Sequence, residues 1–304
     1  MSEAASGAGA VPAPDLEVFD EHRSLLFTVA YELLGSVTDA EDVVQETYLR
    51  WAARPDEVEV TNARAYLAKI ATRLSLNRLR SLARRREDYV GTWLPEPLLT
   101  VPDIADDVVL SESVNLALMV VLESLGPKER AVFLLREVFG YEHAEIAEAL
   151  GMSSAAVRQT AHRAKQHVEA RRPRFSTDDR LVSQVQQRFS DALLTGDVQG
   201  LMDLLAPDVV VLSDGGGKVS AARRPVQGAD AAARFLVGIM RKGARSQRVE
   251  PTMINGVPGW RSWDGDRVTG CLQLVITDDK IAQVLIVVNP DKLGGLEEPH
   301  PIAR

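Results

Sequence analysis

The sequence predicts a multidomain protein in which two all-α helical domains precede one α+β domain. The chain has 304 residues, which is too long for one typical domain and suits two or three, each able to bury its own core. Apolar residues recur at helical spacing up to about residue 172, whereas strand-like segments begin only near residue 208. A proline-rich stretch near residues 91–107 divides the helical part into two blocks.

The composition is ordinary for a soluble globular protein, with 45% hydrophobic and 26% charged residues. The single cysteine, Cys271, excludes an intramolecular disulfide and a cysteine-cluster metal site. No run of apolar residues is long enough to span a membrane, and the N-terminal sequence lacks the basic start and apolar core of a signal peptide. We therefore expect a cytoplasmic protein without a membrane partner or a cofactor, and a disordered tail over residues 1–14.

The formal charge of −8 is distributed in blocks along the chain. Residues 1–63 carry a net charge of −10, residues 64–86 carry +8, and residues 87–120 carry −7. An acidic segment that directly precedes a basic one indicates two partners with opposite needs, a basic protein surface and a polyanion.

Two helices are predicted in the acidic segment. The first runs roughly from Asp15 to Leu34, and Gly35 ends it as a C-cap. Thr38 or Asp39 is expected to cap the second helix, TDAEDVVQETYLRW, whose early acids complement a helix N-terminus. Five residues of this helix are expected on or near its outer face: Asp39, Asp42, Gln45, Glu46 and Leu49. Periodicity alone favours a solvated helix over a binding surface here.

The stretch Arg64–Arg86 carries eight Arg and Lys residues and no Asp or Glu. Leu67, Ile70 and Leu74 follow the spacing of one buried helix face, and Asn62 is placed to cap the helix. Another face is expected to hold five polar residues: Lys69, Arg73, Asn77, Arg80 and Arg84. The basic patch favours nucleic acid as its partner over a merely solvated face or an anionic membrane surface.

A helix-turn-helix is predicted in the second helical block. A short helix ends at Gly151, and Ser153 or Ser154 caps a longer helix after a turn of a few residues. Six residues are expected on the outer face of the longer helix: Ala155, Arg158, Gln159, His162, Arg163 and Gln166. Gln and Arg can each offer two hydrogen bonds to a base edge, which suits reading of a major groove. A plain helical hairpin with a polar outer face remains the alternative.

The WLPEP sequence at 93–97 lies between the helical blocks, where prolines prevent a helix. Trp93 and Leu94 are costly to expose to water, which predicts that this linker docks on another part of the protein. Chance exposure of one tryptophan is an equal alternative.

The chain after residue 176 gives helices and then strands, which predicts an α+β domain with an antiparallel sheet. The DGGGK sequence at 214–218 lacks the pattern of a phosphate-binding loop and is typical of a turn between strands. Asp203 and Asp208 have no evident nucleophile as a partner, and His300 is the only histidine in this part. Catalysis is therefore disfavoured, whereas ligand sensing and contact with the rest of the chain both remain open.

Three motifs agree with one another over about residues 15–172. They are DAEDVVQETYLRW, ARAYLAKIATRLSLNRLRSLARRR and LGPKERAVFLLREVFGYEHAEIAEALGMSSAAVRQTAHRAKQ. In order and spacing they resemble regions two and four of the extracytoplasmic-function (ECF) sigma factors. The resemblance implies that residues 39–51 bind the coiled coil of the largest catalytic subunit of RNA polymerase. It also implies that residues 54–64, ending at Arg64, and the basic helix melt and hold the −10 promoter element, and that the helix from Ser154 reads the −35 element.

The phrase ALLTGDVQGLMDLLAPDVV resembles SnoaL-like (NTF2-like) cone folds, which hold a pocket between a curved sheet and its helices. WLPEP, DGGGK and NPDKL further resemble the sigma-factor subgroup with a fused SnoaL-like extension. That resemblance implies regulation by the extension without a conventional membrane anti-sigma partner, and it leaves a small-molecule ligand possible. The interdomain contacts are expected from twelve residues: Trp93, Leu94, Pro95, Asp214, Gly215, Gly216, Gly217, Lys218, Asn289, Pro290, Asp291 and Lys292.

These inferences predict core RNA polymerase and promoter DNA as partners, and a two-state hinge in which the last domain grips the linker and changes the spacing of the helical domains. The rival hypotheses are an enzyme fused to a transcription domain and a repressor that uses the helix-turn-helix without polymerase. The predicted organisation is a tail, region two, a linker, region four and a regulatory domain, over residues 1–14, 15–88, 89–107, 108–175 and 176–304.

Overall fold

The computed structural model of the chain describes residues 13–55, 57–101, 107–172, 178–242 and 247–304, and within them all side chains but those of residues 13–15, 83–87 and 179. Most of the predicted tail, residues 1–12, lies outside the described residues. Ala13 and Pro14 belong to the first helix instead.

The described chain begins with three packed helices, α1 (Ala13–Leu34), α2 (Val37–Ala52) and α3 (Ala63–Glu87). Gly35 ends α1 in the left-handed conformation, with φ at 68°. The predicted cap of α2 was wrong, because Ser36 is the N-cap and its Oγ accepts a hydrogen bond from the Asp39 N–H (3.2 Å). The turn at Gly35 and Ser36 is so short that α2 starts immediately after it.

Five helices and one π-helical turn follow the linker. They are α4 (Val108–Val114), α5 (Leu116–Leu122), α6 (Pro127–Phe133), the π-helical turn (Leu134–Val138), α7 (His143–Leu150) and α8 (Ser154–Glu169). Gly151, with φ at 62°, ends α7, and the Ser153 Oγ accepts from the Ala156 N–H (3.1 Å) to cap α8. These elements share one continuous apolar core with α1–α3, so the two helical blocks are packed against each other.

The rest of the chain forms two helices, a sheet with a third helix, and two short 3₁₀ turns. They are α9 (Asp179–Thr195), α10 (Val198–Leu204), β1 (Leu205–Asp214), β2 (Val226–Gln227), α11 (Ala229–Arg241), β3 (Arg248–Ile254), β4 (Val257–Asp264), β5 (Arg267–Thr277), β6 (Lys280–Val287) and the turns Pro290–Lys292 and Gly294–Leu296.

The described strands form one sheet in the order β2-β1-β6-β5-β4-β3. The expectation of a purely antiparallel sheet was wrong, because β1 and β6 are parallel while the other neighbours are antiparallel. Alternation of side chains marks a strand but not its direction, and β6 joins β1 only after the chain has passed through β2, α11 and β3–β5.

Both faces of this sheet are buried. One face packs on α9, α10 and α11 through residues such as Val209 and Ile281. The other face carries Cys271, Val275 and Val287 and is covered by linker and α5 residues. The expected order of helical domains followed by a domain of mixed sheet and helices is therefore confirmed, and this last domain packs on the helical part. None of the helices in the described ranges has the length and hydropathy needed to cross a membrane.

Candidate nucleic-acid interface

The outer face of α2 exposes four of the five residues predicted there: Asp42, Gln45, Glu46 and Leu49. Leu49 is 59% exposed, and it borders a groove of about 390 Å³ between α1 and α2 that Leu16, Phe19 and Tyr48 also line. An exposed leucine beside an apolar groove and a row of acids and amides makes a surface suited to a basic protein partner.

Asp39 departs from the expectation of an outward side chain, since it is only 8% exposed. Its Oδ1 accepts a hydrogen bond from the Arg78 Nε of α3 (2.5 Å), while the Arg78 Nη2 binds Asp42 (2.5 Å). The hydrogen bonds to Asp39 and Asp42 outweigh partial burial and raise the pKa of Arg78. Asp39 therefore joins the acidic helix to the basic helix, because burial and pairing favour an inward carboxylate here.

The basic helix α3 starts at the predicted cap, where the Asn62 Oδ1 accepts from the Ala65 N–H (3.0 Å). Toward its C-terminal end, Asn77 and Arg80 are exposed, with the Arg80 Nη1 within 3.4 Å of the Asn77 Oδ1. Arg84 belongs to α3, and its side chain lies outside the described residues.

The middle of α3 is in contact with α7 of the helix-turn-helix. The Lys69 Nζ binds the Glu148 Oε1 (2.6 Å), and this hydrogen bond lowers the pKa of Glu148. Arg73 donates from Nε to the Ala149 carbonyl oxygen (2.7 Å) and from Nη2 to that of Glu148 (3.0 Å). Carbonyls in the last turn of a helix carry partial negative charge and attract cations. The C-terminal end of α7 therefore binds two of the predicted DNA-binding residues, Lys69 and Arg73.

Arg64, at the start of α3, is also engaged by the second helical block. Its Nη2 donates to the Phe139 carbonyl oxygen (3.1 Å), and its guanidinium lies 4.7 Å from the centre of the Tyr141 ring. Burial raises the pKa of Tyr141 to about 12. On the predicted DNA-binding face of α3, Arg64 and Lys69 are thus half-buried and Arg73, although exposed, is hydrogen-bonded to α7, whereas Asn77 and Arg80 nearer the C-terminal end face solvent.

The second helix of the helix-turn-helix, α8, presents the predicted outer face to solvent. Val157, Ala161, Ala164 and Val168 are buried, while Ser154 is half-buried. The exposed residues are Ala155, Arg158, Gln159, His162, Arg163 and Gln166. Their spacing places small, amide and basic side chains along one face, as base-edge recognition requires.

Asp214, the last residue of β1, is fully buried, and its carboxylate accepts four hydrogen bonds, one of them at Oδ1 from the Gly216 N–H (3.1 Å). Its Oδ1 accepts from the Tyr89 hydroxyl (2.5 Å), and its Oδ2 accepts from the Leu94 N–H (2.8 Å) and the Lys292 Nζ (2.8 Å). Burial, followed by the hydrogen bond to Asp214, raises the pKa of Tyr89. A carboxylate with four donors is well compensated for the loss of water.

Lys292 completes this cluster from the other side. It is 7% exposed, its Nζ donates to the Leu94 carbonyl oxygen (2.5 Å), and it lies 4.3 Å from the centre of the Trp93 ring and 4.7 Å from that of Tyr89. We call Tyr89, Trp93, Leu94, Asp214 and Lys292 the linker clamp. The clamp binds both the backbone N–H and the carbonyl of Leu94, so it fixes the linker position.

The other predicted interdomain residues surround the clamp. The Asn289 Nδ2 donates to the Tyr89 hydroxyl (2.8 Å), and a Cβ on Gly216, whose φ is 59°, would collide with the Asn289 side chain. Lys218 and Asp291 form an exposed ion pair. Pro95 and Gly215 are buried, Pro290 is half-buried and Gly217 is exposed.

Two residues outside the predicted set join the third domain or the linker to the helices. The Glu96 Oε2 accepts from the Val37 N–H (2.7 Å), and its carbonyl oxygen accepts from the Tyr31 hydroxyl (2.5 Å). Asn255 is fully buried against the same tyrosine. The contact of Glu96 was predictable, because Glu96 belongs to the WLPEP motif that was expected to dock. The contact of Asn255 was not, because an Asn-Gly sequence predicts a hairpin turn but not what the turn touches.

The comparison with known families finds two matches: Sigma-70 region 2 over residues 18–85 and Sigma-70, region 4 over residues 115–168. The ECF RNA polymerase sigma factor SigJ of Mycobacterium tuberculosis is 39% identical over 298 residues, covering 92% of this chain and 94% of SigJ. A probable ECF RNA polymerase sigma factor SigI of the same species is 30% identical, covering 90% and 93% of the two chains. The crystal structure of M. tuberculosis SigJ superposes with a TM-score of 0.73 at 36% identity, over 92% of this chain and 98% of that one.

Proposed function

Since the chain belongs to the extracytoplasmic-function RNA polymerase sigma factors, we propose that it binds core RNA polymerase through α2 and promoter DNA through α3 and α8. Its C-terminal domain regulates these contacts from within the same chain. The protein acts in the cytoplasm, where polymerase and promoter are found.

The polymerase contact is assigned to the outer face of α2 and the groove beside it. Asp42, Gln45 and Glu46 offer acids and an amide to a basic partner, and Leu49 offers an apolar anchor. An apolar centre with a polar rim is typical of specific protein interfaces. Asp39 contributes indirectly. Its hydrogen bond to Arg78 joins α2 to α3 and so helps to fix the orientation of α2.

Promoter contacts are assigned to α3 for the −10 element and to α8 for the −35 element. The exposed face of α8 needs no rearrangement to enter a major groove. On α3, Asn77 and Arg80 face solvent, whereas Lys69 and Arg73 must exchange their hydrogen bonds with α7 for bonds to phosphate before they can bind DNA. We call the arrangement in which α7 contacts α3 closed. It is the arrangement expected in the free protein, because in the promoter complex Lys69 and Arg73 would bind DNA instead.

Regulation by the C-terminal domain rests on the linker clamp. Asp214 and Lys292 hold Leu94 by its backbone, and this fixes the linker that joins the helical blocks. A clamped linker keeps α7 against α3, whereas a released linker lets the blocks separate to the positions that polymerase imposes. An interdomain coupling of about 1–3 kcal/mol changes occupancy about 5- to 150-fold.

Catalysis by the C-terminal domain is not part of the proposal. His300, the histidine that could have served as an acid or base, stacks on Phe27 of α1 with ring centres 5.4 Å apart. Burial lowers its pKa. Its position on the helical part separates it from the helix-packed face of the sheet.

The first experiment tests the polymerase contact. Leu49→Glu should abolish binding to core polymerase in a pull-down or a fluorescence titration, because it places a charge at the centre of the proposed surface. Val108→Glu is the matched control, since Val108 is 64% exposed and belongs to α4. Core binding by Leu49→Glu at the level of the control would contradict the assignment.

The second experiment tests the regulation. Trp93→Ala in the full chain should raise transcription from a matched promoter with core polymerase several-fold, since it removes the ring beside Lys292 and Gly35. Trp260→Ala, which removes a half-buried tryptophan from the helix-packed face of the sheet, controls for general loss of stability. Equal output from the two variants would refute self-regulation through the linker.

A further inference from the structure

The hairpin between β3 and β4 turns at Asn255 and Gly256, and this tip is inserted into the junction of the helical blocks. Asn255 is fully buried, although hairpin tips usually lie in solvent. Both residues have positive φ, 50° and 75°, as the two-residue Asn-Gly turn requires.

The side chain of Asn255 binds three separate parts of the chain. Its Oδ1 accepts from the Leu98 N–H of the linker (2.8 Å). Its Nδ2 donates to the Tyr31 hydroxyl of α1 (2.7 Å) and to the Val114 carbonyl oxygen of α4 (2.8 Å). Both Nδ2 hydrogens are thus used, one on each helical block, so the amide bridges α1 and α4 directly.

Gly256 packs against the second helical block and the linker. Its N–H donates to the Thr100 Oγ1 (3.1 Å), and its carbonyl oxygen accepts from the Ser111 Oγ of α4 (2.9 Å). A Cβ at this position would lie 2.8 Å from the Ser111 Oγ and 2.9 Å from the Ser111 Cα. The approach of the hairpin to α4 is therefore as close as a glycine allows.

The linker clamp lacks this bridging property. Asp214 and Lys292 bind Tyr89 and Leu94, which both belong to the linker. The hairpin tip instead touches α1, α4 and the linker at once, and its amide hydrogens lose their partners if either helical block moves. Buried donors without acceptors are unfavourable, so the contacts at the tip form together and break together.

We propose that the Asn255–Gly256 tip is the interdomain lock that holds the two helical blocks in the closed arrangement. This inference rests on the proposed self-regulation. It adds the specific contact by which the C-terminal domain binds both helical blocks at once. The clamp positions the linker, and the tip joins the blocks.

The experiment measures the distance between the blocks in the free, full-length protein. Spin labels on cysteines at the exposed positions Glu21 of α1 and Glu169 of α8 give this distance by pulsed electron paramagnetic resonance, and the native Cys271 is buried. Gly256→Ala should move the distance distribution to longer and broader values. Gly265→Ala is the matched control, because Gly265 also has positive φ (58°) in a hairpin and a Cβ there would meet nothing within 4 Å in the described part of the chain.

A second pair of variants tests the amide chemistry. Asn255→Asp keeps the acceptor oxygen, but its ionised carboxylate would lie against the Val114 carbonyl oxygen and repel it. The helical blocks of this variant should therefore be separated at neutral pH. In acid the carboxyl is protonated and can donate again, so the distance should return to the wild-type value. Asn255→Ala has neither group and serves as the reference at each pH. This reference removes the effect of other titrating groups, such as Glu32, a buried carboxyl of α1 whose pKa burial raises to about 8.

Equal distances in Gly256→Ala and Gly265→Ala, or a closed Asn255→Asp at neutral pH, would overturn the lock. These measurements use no polymerase, so they remain decisive even if core binding fails. Conversely, a protein that binds core and responds to Trp93→Ala but not to Gly256→Ala keeps the proposed function and loses the lock.

Discussion

At the scale of single residues, the junction between the helical blocks contains a buried acid. Glu32 of α1 is fully buried, its Oε1 accepts from the Ser113 Oγ (2.6 Å), and its Oε2 has no hydrogen-bond partner among the described residues. Burial raises the pKa of Glu32 to about 8 despite the nearby Arg130 guanidinium. Glu32 is therefore protonated at neutral pH in the closed protein.

The titration of Glu32 predicts a pH-dependent stability. The unfolded chain ionises this residue above about pH 4.3, and the folded chain does so only near pH 8. Its contribution to the free energy of unfolding thus falls as pH rises through this interval and is constant above it. Glu32→Gln does not titrate, so its free energy of unfolding relative to wild type, measured by urea unfolding, should increase by about a few kcal/mol from pH 5 to pH 8. A constant difference across this range would contradict the raised pKa.

The linker clamp contains the buried ion pair of Asp214 and Lys292, with side-chain exposures of 0% and 8%. Lys292→Met leaves a buried carboxylate without its cation and should cost about 3–5 kcal/mol in urea unfolding. Addition of Asp214→Asn should recover part of this loss, since the uncompensated charge is gone. Lys218→Met is the control, because it breaks only the exposed pair with Asp291 and should cost about 0–1 kcal/mol. Additive losses in the double variant would argue against a coupled pair.

At the scale of elements, the basic face of α3 contacts α7, and the proposed function assigns the same face to promoter DNA. In the closed protein, Lys69 and Arg73 bind the last turn of α7, which offers a carboxylate and two carbonyl oxygens. Phosphates would offer similar acceptors, so under the proposed function α7 competes with DNA for the same donors. The helix-turn-helix would then occupy donors of the proposed −10 surface on α3 while it exposes the proposed −35 surface on α8.

Competition between α7 and DNA predicts the effect of a charge reversal. Glu148→Lys should repel Lys69 and expose α3, which should raise the affinity for a single-stranded −10 oligonucleotide several-fold in fluorescence anisotropy at low salt. Asp279→Lys makes the same charge change at an exposed turn of the third domain and serves as the control. An equal gain in both variants would mean that net charge, and not release of α3, explains the result.

At the scale of the whole molecule, the three parts behave as one packed body. The helical blocks share an apolar core that also includes Ile302 near the end of the chain, and the sheet buries its second face on the linker and α5. The Ala303 N–H donates to the Thr28 Oγ1 of α1 (3.1 Å), so the last residues also bind the first helix. The C-terminal domain is therefore in contact with both helical blocks and the linker at several points.

A compact body of 304 residues predicts a radius of gyration of about 19 Å in small-angle scattering. Because Trp93→Ala loosens the clamp, it should increase this radius and the maximum dimension without loss of helical circular dichroism. The same radius in both proteins would mean that the clamp does not control the separation of the blocks.

Local sequence predicted much of the fold and part of the site. The helix boundary at Gly35, the Asn62 cap and the outward face of α8 follow from residues close together in the chain, whose backbone preferences and periodicity act locally. The predicted direction of β1 relative to β6 was wrong, because strand direction depends on the path of the chain between them. The functional roles of the predicted residues stay predictions until the variants above are measured.

The sequence by itself determined the order of the domains, the basic and acidic helices and the motifs by which the family is recognised, because each depends on composition and spacing within a short segment. Only the tertiary structure decided the partner of each charged or buried polar group. Asp39 meets Arg78, Lys69 meets Glu148, and Asn255 meets Tyr31, which is 224 residues away. Such pairs form where packing excludes water from polar atoms, and periodicity carries no information about which distant segments packing brings together.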